Sequence, residues 1–218
     1  MYVLFHRLRL WIFTHTSRAT IIREIDRMRK AGLALMAYFF FDFRNTQKQH
    51  RRDLLSSLLF QLSARSDACH DIFSRFYLDH DEGAQQPSED ALSQCLTDML
   101  KFPGQPPTYI IIDALDESPN ISGTPTAREK VLELLENLVG LQLSNVHICM
   151  SSRPEIDIRS ILEPLATFRV SLHEESGQMA DISGYIESFV HSDRNMRRWS
   201  SVNEQLVIDT LLEKADGM

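Results

Sequence analysis

Glycine is scarce in this chain. The eight glycines stand at positions 32, 83, 104, 123, 140, 177, 184 and 217, and none is followed by lysine. That excludes the loop G-x-x-x-x-G-K-[ST], whose amides wrap phosphates and whose lysine neutralises them. The three cysteines, Cys69, Cys95 and Cys149, lie far apart without metal-ligand spacing. They exclude a disulfide framework and a zinc site, and read as reduced, buried thiols of a cytoplasmic protein. No apolar run has the length of a membrane span. Met1–Phe13 is apolar, but His6, Arg7 and Arg9 interrupt it and no small-residue cleavage site follows, so it does not read as a signal peptide. A basic excess is missing too: the formal charge of −7 argues against a nucleic-acid partner. There is no G-x-S-x-G elbow, internal repeat or low-complexity tract.

What remains is a chain of 218 residues, 43% apolar and 24% charged, long enough to bury a real core. Its organising stretch is Thr108–Glu117, TYIIIDALDE. Tyr109, Ile110, Ile111 and Ile112 run without a polar break into Asp113, the pattern of a strand buried on both faces. Prolines and Gly104 punctuate it before, and Ser118–Pro119 after. Carboxylates at the end of such a strand are costly unless something positive meets them. Ligands of open α/β sheets sit at the carboxyl ends of strands, so Asp113 reads as a magnesium ligand beside phosphates. The plainer reading makes Asp113 a turn cap, with Asp116 and Glu117 solvated. Arg153 closes another apolar strand, Val146–Ser152. There it either contacts a terminal phosphate or pairs with Asp116 or Glu117.

Along the chain, Thr16 or Ser17 caps a helix to about Lys30, with Ile21, Ile22, Ile25 and Met28 on one face. Leu33–Phe41 reads as a strand, and Leu10–Phe13 as a shorter one. Gln47–Ser63 reads as a helix with a leucine stripe, followed by His70–His80 and by a helix that Ser88 caps and Phe102 ends. A further helix carries Val131, Leu134, Leu135 and Leu138, with Gly140 as its terminal glycine. Ile156–Leu162 is a short helix, Phe168–Leu172 a weak strand, and Ala180–His191 and Asn203–Lys214 are helices. Strands alternating with helices predict an α/β fold with a mostly parallel sheet.

Taken together, these motifs resemble one family. Tyr109–Glu117 looks like the extended Walker B motif of NACHT-type signal-transduction NTPases of the STAND class. Ser151-Ser152-Arg153-Pro154 looks like their sensor 1 strand, about 35 residues downstream. Ala37–Phe43 followed by Gln47–Leu62 is similar to the strand and helix before Walker B in fungal members, including the group with a nephrocystin-like NACHT module. Lys214–Met218 is similar to the segment leading into their winged-helix region. The resemblance implies a three-layer P-loop NTPase-like core over 17–172, truncated or degenerate at its N-terminal strand and loop. An atypical segment, 1–16, precedes that core. A helical segment, 173–218, leads toward a missing winged-helix region, as expected of a piece of a longer protein or of a misassigned start.

The same resemblance implies roles. Asp113 would hold magnesium, Asp116 and Glu117 would position or activate the attacking water, and Arg153 would sense the γ-phosphate of ATP or GTP. It implies flanking signalling or repeat domains and self-association, because the family switches between a closed monomer and an open oligomer. The expected function is a NACHT-like nucleotide-switch module with nucleotide binding impaired by the missing loop. The alternative is a non-catalytic scaffold that keeps the fold. A helicase-type motor fits less well, since Asp-Ala-Leu-Asp-Glu and Ser-Ser-Arg depart from the D-E-A-D and S-A-T patterns.

Overall fold

A computed structural model describes residues 2–6, 17–121, 123–171, 176–193, 196 and 199–215. Its strands are β1 (Tyr2–His6), β2 (Leu35–Phe40), β3 (Thr108–Asp113), β4 (Val146–Ser152) and β5 (Phe168–Ser171). Its α-helices are α1 (Ser17–Lys30), α2 (Arg51–Ser63), α3 (Asp67–Asp79), α4 (Glu89–Lys101), α5 (Ala127–Gly140), α6 (Ile156–Leu162), α7 (Ser176–Ser192) and α8 (Ser201–Ala215). The described chain divides into two compact units. The larger contains β1 and Ala19–Val170, and the smaller contains α7 and α8.

In the larger unit the five strands form one sheet in the order β2-β3-β4-β1-β5. β2 pairs parallel with β3, and β3 with β4, which makes the expected α/β core with a parallel centre. Residues of one parity in each strand face one side of the sheet. Leu35, Ala37, Phe39, Ile110, Ile112, Val146, Ile148 and Met150 therefore join the leucines of α2 and the inner faces of α4, α5 and α6 in the main core. On the other face, Met36, Tyr109 and Ile111 pack with Ile25 and Met28 of α1. Helix, sheet and helix form three layers, which is why β3 is apolar without alternation. Leu54, Leu55, Leu58, Leu59 and Leu62 of α2 are all buried, each contributing roughly 1.5–3 kcal/mol of burial free energy.

Local chemistry sets the boundaries. Ser88 Oγ accepts from Ala91 N at 3.1 Å, the cap expected for α4. The expected Gln47–Ser63 helix is split: Asn45 caps a single 3-10 turn, and a His50–Asp53 box starts α2 at Arg51. α3 begins three residues before His70, because Ser66 Oγ accepts from Cys69 N. α5 ends at Gly140, as its glycine suggested. Gly140 stays within the last turn, and the left-handed residue after the helix is Gln142, at φ 51°.

β1 was not foreseen. It runs antiparallel to β4, with Tyr2 opposite Ser152 and His6 opposite Ile148. The strand expected at Leu10–Phe13, the candidate cap Thr16 and the segment after Ala215 lie outside the described residues. In the smaller unit α7 and α8 pack on one another, and Val190 and Ile208 are buried. Among the described residues no helix is long and apolar enough to cross a membrane.

Candidate functional site

The carboxyl ends of β2, β3 and β4 meet at one edge of the sheet. β3 ends at Asp113, and Ala114 takes a left-handed conformation at φ 53°. That turn throws the chain into a short 3-10 helix, Leu115–Glu117, with Leu115 fully buried as its anchor. Asp116 and Glu117 thereby stay within one turn of the end of β3.

Each carboxylate has partners. Asp113 Oδ1 accepts from Ala114 N at 2.9 Å and from Ser151 Oγ. Asp116 Oδ1 accepts from Arg153 N at 2.9 Å, and Asp116 Oδ2 lies 3.5 Å from Arg153 Nε. The Asp116 side chain is 11% exposed whereas that of Arg153 is 78% exposed, so the backbone hydrogen bond outweighs the solvent-screened ion pair. Glu117 Oε2 accepts from Phe43 N at 3.1 Å, in the loop after β2. Ser118 Oγ donates to Gln49 O at 2.9 Å in the same region. Nearby, the Arg44 backbone N–H and then its guanidinium hold the Asp42 carboxyl below the usual carboxylate range.

The sequence-predicted residues Asp113, Asp116, Glu117 and Arg153 are thus all brought to one edge. Arg153 pairs with Asp116 and not with Glu117. Sequence reasoning missed Arg128. It is 8% exposed and donates from Nε to Ser118 O at 3.0 Å and from Nη2 to Asp116 O at 2.5 Å. Its Nη1 meets Asp157 Oδ2 of α6 at 3.2 Å. A signal for it existed: Arg128 shares the helical stripe of Val131, Leu132 and Leu135, where a charge must find buried acceptors. Nothing in the spacing of Ser151 shows that its hydroxyl faces Asp113.

β1 bears on what this edge can do. A phosphate-binding loop serves the edge when it follows the carboxyl end of a neighbouring parallel strand. Because β1 is antiparallel, its first residue, Tyr2, lies beside the end of β4, and the chain leaves β1 at the opposite edge. Among the described residues no group of three or more His, Cys, Asp or Glu side chains is gathered to hold a metal ion.

The family model described as Nephrocystin 3, N-terminal matches residues 16–153, more than half of the chain, and reaches from α1 to Arg153. No curated protein and no solved structure matches the chain significantly. The chain belongs to the nephrocystin 3 N-terminal family, a NACHT-related family.

Proposed function

We propose that this chain is a NACHT-like signalling module whose carboxyl edge works as an internal latch, with nucleotide binding impaired. The observation that carries the reading is the engagement of Asp116 by Arg153 N and Nε together with that of Glu117 by Phe43 N. These contacts tie the ends of β2, β3 and β4 through the same carboxylates that a hydrolytic site would turn toward water.

A magnesium nucleotide fits this edge only in part. Asp113 could offer an oxygen to the metal and Arg153 a guanidinium to the γ-phosphate of ATP or GTP. The glycine amides and lysine that anchor a triphosphate are missing from the sequence. Each charge-assisted hydrogen bond so lost is worth about 1.5–3 kcal/mol. Two or three such losses weaken a micromolar site to about the millimolar range or beyond. No catalytic step is therefore assigned to Asp116 or Glu117. Flanking signalling or repeat domains, and other copies of the chain, are the partners through which such a module would act.

A hydrolysing switch is the second reading, favoured by the convergence of Asp113, Asp116, Glu117 and Arg153. Isothermal titration of the chain with ATP and GTP, with and without magnesium, separates the two. Absence of saturable micromolar binding supports the latch. Magnesium-dependent micromolar binding that Asp113→Asn abolishes would establish the switch instead.

A further inference from the structure

Among the described residues β2 is a terminal strand of the sheet, so one row of its peptide groups meets no other described strand. Leu35 N donates to Pro107 O at 2.9 Å and Phe41 N to Asp113 O at 3.0 Å, so the odd-numbered residues face β3. The even-numbered ones face outward. The segment they belong to, Leu-Met-Ala-Tyr-Phe-Phe, is uncharged, aromatic-rich and free of glycine and proline. That is the composition of a strand that templates pairing with copies of itself.

Side chains of α2 and of the turns that flank it occupy this edge. Gln61 Oε1 accepts from Tyr38 N at 3.1 Å, and Gln61 Nε2 donates to Tyr38 O at 2.7 Å. One side-chain amide thus reproduces both hydrogen bonds of a neighbouring strand's peptide group. Its orientation is fixed by a further 3.0 Å bond from Nε2 to Ser57 Oγ. One residue pair back along the edge, Arg65 Nη1 donates to Met36 O. Past the end of β2, Asp42 N donates to Lys48 O at 3.1 Å, and Gln49 Nε2 donates to Phe43 O at 2.6 Å.

We propose that Gln61 and Arg65 act as a stand-in for a further strand, keeping β2 from pairing edge to edge with the β2 of a second copy of this chain. A second copy is the fitting occupant because an uncharged strand can pair antiparallel with itself about a twofold axis, every contact of residue i with residue j being repeated as j with i. Tyr38 and Phe40, residues that are 40% and 39% exposed, would be brought together by that pairing.

Sedimentation velocity of the whole chain across a dilution series tests this. Gln61→Ala/Arg65→Ala should self-associate about tenfold or more tightly than the wild type, a change of about 1.4 kcal/mol. Adding Tyr38→Pro, which removes the outward N–H of an edge strand without touching the β3 ladder, should restore wild-type behaviour. A double variant that keeps its far-UV spectrum and the wild-type sedimentation profile would overturn the proposal. So would association that survives Tyr38→Pro. Gln61→Met, which keeps the packed stem, decides the matter if the double variant does not fold. It should speed amide exchange at Tyr38 and strengthen association, and wild-type behaviour in both would again overturn the proposal.

Discussion

Replacing Arg128 with methionine removes the guanidinium and keeps most of the volume on the inner stripe of α5. Two carbonyls, Asp116 O and Ser118 O, then lose donors at 2.5 and 3.0 Å. Each carbonyl left without a partner costs about 1–3 kcal/mol. The third partner, Asp157, is 32% exposed, so water solvates it and the loss stays below the 3–5 kcal/mol typical of a broken buried pair. The two carbonyls together cost about 2–6 kcal/mol, a large part of the roughly 5–15 kcal/mol that holds a protein folded. At about 2–4 °C per kcal/mol for a chain of this size, Tm falls by about 4–24 °C. Arg128→Lys should lose roughly half as much, since an ammonium keeps its charge near Asp157 but cannot reach both carbonyls. Thermal and urea unfolding followed by far-UV circular dichroism measures both variants, and a cycle with Asp157→Asn isolates the pair. If Arg128→Met unfolds within about 0.5 kcal/mol of the wild type, the reasoning fails.

Stability should also fall in alkali. Burial first, then Asp98 and Cys69, push the Cys95 thiol from its ordinary 9.0 up to about 12, and burial raises Cys69 and Tyr109 as well. A raised folded-state pKa gives stability that is fully present below the unfolded value and lost as pH climbs toward the folded one. Urea midpoints should therefore decline from pH 9 toward about 12, and Cys95→Ala should start lower but decline less steeply. Ala114→Gly should stabilise by about 0.5–1 kcal/mol, because glycine meets the left-handed φ of 53° without a Cβ clash. A loss of stability on urea unfolding would mean that the Ala114 methyl group matters more than the turn.

Much of the larger unit could be read from the sequence, since its signals are local. The four-residue apolar run of β3, the leucine stripe of α2 and the Ser88 cap each act within a few residues. The approach of Arg153 to Asp116 spans 37 residues but follows from the parallel pairing of β3 with β4, since carboxyl ends of adjacent parallel strands must meet. What escaped depends on distant partners. Tyr2–Phe5 is an apolar run like others in the chain, and no local property fixes which strand it pairs with or in which direction. The antiparallel match of β1 with β4 is a tertiary outcome. Gln61 looks like an ordinary polar position of an amphipathic helix, and Arg65 like a turn residue after it, until α2 is laid along the edge of β2. Gly140 marks the end of α5 as expected, whereas the left-handed residue of the turn, Gln142, carries no glycine to announce it.

Thermal unfolding of the wild type and of Asp116→Ala, each with and without about 1 mM magnesium ATP or GTP, tests the latch most directly. The account predicts that Asp116→Ala lowers stability by about 1–2 kcal/mol without any nucleotide, because Arg153 N loses its acceptor. It also predicts that nucleotide moves neither Tm. A site of about 10 μM affinity would instead stabilise the wild type by about 2.7 kcal/mol, or about 5–11 °C. Such a rise in the wild type, with Asp116→Ala as stable as the wild type in the absence of nucleotide, would contradict the account.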